Sequence, residues 1–295
     1  MPKTWSRIIK ILSISLFSIL VVLLVLVNVL AKKLVQEESD MQAALNASGQ
    51  ELSIQTNTME IDSLGSIRYA RLGADTLPLL ILIHGSPGDL NAFDSWFADT
   101  LLTQKYQLLA YDRPGFGMSQ IDMQSALKVQ SLCVSTIMNT IEAPAYYLLG
   151  HSYGGAVVLA SMLKEEERIA HSIIVAGSVD PALEPREWWR PIISSKLVSW
   201  TLPRMLNSSN QEIEHLYEEL LLMEKRLASG VSASLTVFQG TADKLVPAGN
   251  ADYLKAQIPN CETVWFEEEG HFILWTKQDV IVDHLMKLEK GYNYD

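Results

Sequence analysis

The chain is poor in cysteine: Cys133 and Cys261 are the only two in 295 residues. They lie far apart with no CxxC spacing, which excludes a disulfide scaffold and a four-thiolate zinc site and leaves two buried thiols as the ordinary reading. Basic side chains are scarce as well. Twenty-three Lys and Arg stand against 34 Asp and Glu, a formal net charge of −11. A general nucleic-acid binder needs a basic face to displace counterions from phosphate, so nucleic acid is not an expected partner. No HExxH, P-loop or GxGxxG fingerprint occurs, so no cofactor and no metal are expected. Internal repeats and low-complexity tracts are missing too.

What is present is hydrophobic. Apolar residues make up 48% of the chain, with seven Trp, ten Tyr and seven Phe, which excludes a disordered chain and suffices for a sizeable core. The charge is divided unevenly. Residues 1–35 carry Lys3, Arg7, Lys10, Lys32 and Lys33 and no acid, leaving 18 basic and 34 acidic side chains in the rest, a net of −16. Two regions with different surroundings are implied.

From Ile11 to Ala31 the sequence runs 21 residues without a charge, interrupted only by Ser13, Ser15, Ser18 and Asn28. A helix of that length rises about 30 Å, the thickness of a bilayer core. The expectation is an N-terminal transmembrane anchor over residues 1–33, followed by a polar stalk over 34–54. A secretory signal peptide cleaved near Ala31 is the alternative, although the run exceeds the roughly 7–15 apolar residues usual for one. The basic residues before the span place the amino terminus in the cytoplasm and the rest of the chain outside it.

After residue 54 the pattern changes to short apolar runs alternating with amphipathic stretches. Thr56–Ile61 and Ile67–Leu72 read as an opening hairpin, and Pro78–His84 reads as a central strand covered on both faces. Similar runs recur at Tyr106–Asp112, Ala145–Gly150, Ser172–Gly177, Ser234–Gln239 and Thr263–Phe266, with helices expected near 91–104, 123–141, 154–165, 249–257 and 277–289. Such alternation predicts an α/β fold, a mostly parallel sheet flanked by helices. More than fifty residues between Gly177 and Ser234 break the rhythm, and an insertion of that length is commonly a lid.

Gly150-His151-Ser152-Tyr153-Gly154 is a G-x-S-x-G element between a predicted strand and a predicted helix. A serine on so tight a turn needs small neighbours, and its hydroxyl stands at a helix amino terminus that favours developing negative charge. Ser152 is therefore the candidate nucleophile. Its base should follow an acid in the chain. His271, in Glu269-Gly270-His271-Phe272 before the last helix, fits best, because His284 lies inside that helix and His215 in an acidic helix of the insertion. Asp243, on the loop closing the strand before it, is the candidate acid, with Asp180 as competitor at the end of the preceding strand. Backbone N–H groups of Tyr153 and of Ser86, in His84-Gly85-Ser86-Pro87-Gly88, are candidates for the oxyanion hole.

Taken together, HGSPG, YDRPGFGMS (111–119), GHSYGG, QGTADKLVP (239–247) and EGHF (269–272) resemble the α/β-hydrolase fold superfamily over about residues 55–290. The resemblance implies a mostly parallel eight-stranded sheet and a helical cap inserted after the sixth strand, here about residues 180–231 of a 55–295 domain. It also implies that Asp112-Arg113-Pro114-Gly115 is a structural loop near the site. Serine at the nucleophile position argues against the epoxide hydrolases and haloalkane dehalogenases of the superfamily, which use aspartate.

The function expected is hydrolysis of a carboxylic ester or related small-molecule acyl substrate through a Ser152–His271–Asp243 triad and an acyl-enzyme. A membrane-tethered acyltransferase, an amidase or peptidase, or a carbon–carbon bond hydrolase would use the same site, and a non-catalytic binding protein the same fold. Trp188, Trp189 and Trp200, with Ile192, Ile193, Leu197 and Leu202, suggest a partly apolar pocket.

Overall fold

The computed structural model describes residues 3–34 and 38–291. Two helices lead, α1 (Lys3–Leu34) and α2 (Glu38–Ala47), followed by β1 (Gln55–Glu60), β2 (Ser66–Leu72) and β3 (Leu79–Ile83). Then come α3 (Asp94–Phe97), α4 (Thr100–Lys105), β4 (Gln107–Tyr111), α5 (Leu127–Thr140), β5 (Tyr146–His151), α6 (Tyr153–Lys164) and β6 (Ile169–Val175). A helical insertion holds α7 (Arg190–Ser194), α8 (Lys196–Ser199) and α9 (Arg204–Leu227). The chain returns through β7 (Leu235–Gly240), α10 (Gly249–Gln257), β8 (Cys261–Phe266), α11 (Ile273–Thr276) and α12 (Gln278–Gly291).

The strands form one eight-stranded sheet in the order β1-β2-β4-β3-β5-β6-β7-β8. It is mixed: β2 runs antiparallel to both β1 and β4, and every pairing from β4 through β8 is parallel. Strand β3 shows why its sequence is apolar throughout. All five residues are fully buried, with Leu79, Ile81 and Ile83 packing into the core on one face and Leu80 and Leu82 into the core on the other. Side chains alternate faces with period two, and a strand covered on both sides has no polar position. Each such side chain contributes about 1.5–3 kcal/mol of burial. One face is covered by α5, α6, α9 and α10, the other by α2, α3, α4 and α12. Met41 and Leu45 of α2 belong to that second core.

The expected transmembrane helix is overturned. Residues 11–31 are helical, within α1, but no helix among the described residues is long and apolar enough to cross a membrane. Asn28, inside the run, has a protein partner. Its Nδ2 donates to the Thr201 carbonyl at 3.0 Å, so this end of α1 is tied to the insertion by a polar contact. The single-pass topology and the extracytoplasmic placement built on that helix fall with it.

Candidate active site

Ser152 sits between β5 and α6 with φ +57° and ψ −122°, left-handed backbone that a residue with a side chain rarely adopts. Its N–H is held by the Val175 carbonyl at 3.0 Å. The glycines around it are there for want of space. A Cβ on Gly150 would lie 2.2 Å from the Gly154 carbonyl oxygen, and one on Gly154 would lie 2.2 Å from that of Ile83. The turn thus delivers Ser152 to the amino terminus of the 12-residue α6, with Tyr153 in its first turn, where free N–H groups and the helix dipole converge. The loop after β3 comes just as close, since a Cβ on Gly85 would be 2.9 Å from Ser152 Cβ.

His271 follows β8, and Asp243 follows β7. His271 Nδ1 donates to Asp243 Oδ2 at 2.8 Å, which fixes the imidazole tautomer and leaves Nε2 as the basic nitrogen. Asp243 Oδ1 accepts the N–H groups of Leu245 and Val246, each at 2.9 Å. Burial alone would raise this carboxyl. The His271 bond and the two N–H donors overcome it and hold Asp243 below its ordinary value. Asp180 lies elsewhere: its carboxylate caps the Ala182 N–H at 2.8 Å, and its own N–H is held by Asn250 Oδ1.

Ser86, Ser152, Tyr153 and His271 open on one cavity of about 350 Å³ beneath the insertion. Its walls are more polar than the tryptophan-rich sequence suggests. Glu184, Glu187, Arg190 and Lys244 line it, with Pro185, Ile213, Leu216, Leu245 and Val246 as the apolar part. Trp188 and Trp200 point away, 80% and 79% exposed. Burial raises the Glu184 carboxyl, which accepts a bond from Ser178 Oγ at 2.9 Å, and Arg190 pairs with Glu187. No cluster of three or more metal-ligating side chains occurs among the described residues.

Three features escaped the sequence reading. His151, beside Ser152, bonds through Nε2 to the His271 carbonyl at 3.0 Å. Burial, then the neighbouring His271, depress it to about 4. Arg113 and Glu212, 99 residues apart, form a fully buried ion pair between the loop after β4 and the insertion helix α9. His84 is fully buried between that arginine and the loop it begins. The motifs HGSPG, YDRPGFGMS and GHSYGG contain His84, Arg113 and His151, and none of the three points to Glu212.

Residues 78–211 match the family model described as alpha/beta hydrolase fold. Sheet order, the glycine-flanked turn at Ser152 and the match agree. The chain belongs to the α/β-hydrolase fold superfamily. Among its relatives is the dihydrolipoyllysine-residue acetyltransferase component of an acetoin cleaving system of Pseudomonas putida, 32% identical over 38% of this chain and 30% of that protein. The chain spans less than half the length of the first two curated relatives it matches, 30% and 42%. A longer match, 23% identical over 68% of this α/β-hydrolase and 83% of the relative, is the 2-hydroxy-6-oxononadienedioate/2-hydroxy-6-oxononatrienedioate hydrolase of Escherichia coli K12. An epoxide hydrolase from Vigna radiata shares the fold, with a TM-score of 0.65 at 15% identity over 81% of this chain and 98% of that one. Hydrolases thus recur among both the homologues and the fold neighbours of this α/β-hydrolase.

Proposed function

We propose that this α/β-hydrolase is a serine hydrolase acting on a small carboxylic ester or related acyl substrate. The observation that carries the reading is the Asp243–His271 hydrogen bond, set on the same cavity as a serine in left-handed backbone at a helix amino terminus. His271 Nε2 takes the Ser152 proton as Oγ bonds to the substrate carbonyl carbon, and the N–H groups of Ser86 and Tyr153 receive the oxyanion. His271 then passes the proton to the leaving oxygen as the C–O bond breaks. Water, deprotonated by the same nitrogen, attacks the acyl-enzyme and frees Ser152 and a carboxylic acid. Asp243 stays ionised throughout and stabilises the imidazolium.

A fluorophosphonate probe tests the reading. Wild type is expected to be labelled on Ser152 and to turn over p-nitrophenyl acetate and butyrate, and Ser152→Ala to do neither. An unlabelled wild type sinks it.

A second reading, hydrolysis of a dicarboxylate such as those named in the Escherichia coli relative, is favoured by Arg190 and Lys244 on the cavity wall, two cations able to take carboxylates. Preference for an ester of a dicarboxylic acid, lost in Arg190→Gln, would favour that substrate class over neutral esters.

A further inference from the structure

Arg113 is fully buried and spends its guanidinium on two partners at once. Toward the insertion, Nη1 and Nη2 grip the two carboxylate oxygens of Glu212 at 2.8 and 2.9 Å. Toward the sheet, Nε donates to the His84 carbonyl at 3.0 Å and Nη2 to the Gly85 carbonyl at 2.9 Å. The plane is held between the rings of Phe116 and Tyr153, 4.7 and 4.6 Å from their centroids. His84 closes the arrangement. Its Nε2 accepts the Arg113 backbone N–H at 3.1 Å, so its ring proton sits on Nδ1, which donates to the Gly85 carbonyl at 2.8 Å.

The Gly85 carbonyl therefore has two donors, and it shares one planar peptide unit with the Ser86 N–H. That bond is trans, so N–H and C=O point in opposite directions. Pulling the oxygen toward Arg113 turns the N–H the other way. Ser86 lines the cavity with Ser152, and its N–H has no hydrogen-bond partner among the described residues. On its other side the Ser86 hydroxyl donates to Ser209 Oγ of α9 at 2.8 Å. Both ends of this peptide are thus set by α9, directly or through Arg113.

We propose that Glu212, Arg113 and His84 are positioning residues that aim the Ser86 N–H at the oxyanion, so that the insertion builds the oxyanion hole as well as roofing the cavity. The inference rests on the serine-hydrolase reading. None of the three touches substrate. They act through the Gly85–Ser86 peptide, and so matter most when the carbonyl oxygen becomes an anion.

The test uses Glu212→Gln, close in shape but uncharged, and Arg113→Lys, which keeps the charge but loses the fork. Fluorophosphonate titration counts competent sites, and thermal melting checks the fold. With p-nitrophenyl butyrate, kcat per titrated site is expected to fall 10- to 100-fold while KM moves less than threefold. Affinity for a short-chain trifluoromethyl ketone, whose adduct with Ser152 carries an oxyanion, should fall by the same factor as kcat. Affinity for butyramide, a ground-state competitor, should hold. In the wild-type ketone complex the Ser86 amide proton should resonate far downfield, and in Glu212→Gln it should move back.

A Glu212→Gln enzyme that folds, titrates and binds the ketone as wild type overturns the proposal. Ketone and butyramide affinities falling together do so as well, because that pattern marks a collapsed cavity. If Arg113→Lys does not fold, Glu212→Gln still decides. Wild type that no fluorophosphonate labels overturns the hydrolase reading, and this inference with it.

Discussion

His151 Nε2 donates to the backbone carbonyl of His271 at 3.0 Å, so the residue before the candidate nucleophile holds the loop bearing the candidate base. The two rings lie 4.8 Å apart, and Trp275 packs edge-on against His151 at 5.0 Å. With the carbonyl able only to accept, the proton must sit on Nε2. Replacing His151 with Ala removes that tie. Turnover of p-nitrophenyl butyrate is expected to drop about 10- to 100-fold, because small errors in placing a catalytic group are costly. His151→Gln, which keeps a donor, should recover part of it.

The two aspartates on neighbouring loops should separate cleanly. Asp243→Asn leaves the shape but disturbs the His271 tautomer, and the loss in kcat should be on the order of 10³–10⁴. Asp180→Asn keeps an acceptor for the Ala182 N–H and should stay within about twofold of wild type. Steady-state kinetics on both variants checks this, and the reverse ranking would hand the acid role to Asp180.

Acid should destabilise the fold from about pH 6.5 downward, through its buried histidines. His151 and His171 are depressed from 6.5 to about 4, burial being the largest cause in both, and His84 and His284 are also depressed. A buried neutral histidine binds no proton where the unfolded one does, so stability is full above about pH 6.5 and declines down to about pH 4. Each such proton contributes about 1.4 kcal/mol per pH unit to the slope. His171 lies away from the cavity. It bonds Thr236 Oγ1 at 2.9 Å, and that hydroxyl in turn meets His284 Nε2 at 3.0 Å. Urea unfolding between pH 7 and pH 4.5 should show a shallower decline in His171→Gln than in wild type. Parallel curves would refute the assignment.

Gly154→Ala pushes a methyl to 2.2 Å from the Ile83 carbonyl oxygen, backbone that cannot swing aside. A cost on the order of 3 kcal/mol is expected, seen as a lowered Tm and poor soluble yield.

Trp188→Ser and Trp200→Ser should leave kcat/KM for small esters within about twofold, because both rings face outward and neither lines the cavity.

These contrasts mark what was legible in the residues. Pro78–His84 could be read as a central strand because burial on both faces leaves no polar position. The G-x-S-x-G turn could be read because steric exclusion at Gly150 and Gly154 restricts residue type so severely. The fold family followed from such local demands. Glu212 could not be found this way. It is one of five glutamates in α9, nothing beside it in sequence differs, and its partner lies 99 residues earlier. The tryptophans misled because side-chain size says nothing of which way a turn beside a short helix faces. Likewise the apolar run of 11–31 predicts a helix but not the Thr201 carbonyl that waits for Asn28.

The buried pair of Arg113 and Glu212 also sets a limit on how this enzyme can be rebuilt. A foreign lid grafted between β6 and β7 would bring new walls to the cavity, but unless it also brought a carboxylate to the place of Glu212, it would strand a charged guanidinium in the core at a cost of about 3–5 kcal/mol. Lid and sheet in this chain are therefore one inheritance, and substrate range can be altered by changing side chains along α9 far more safely than by exchanging the helix itself.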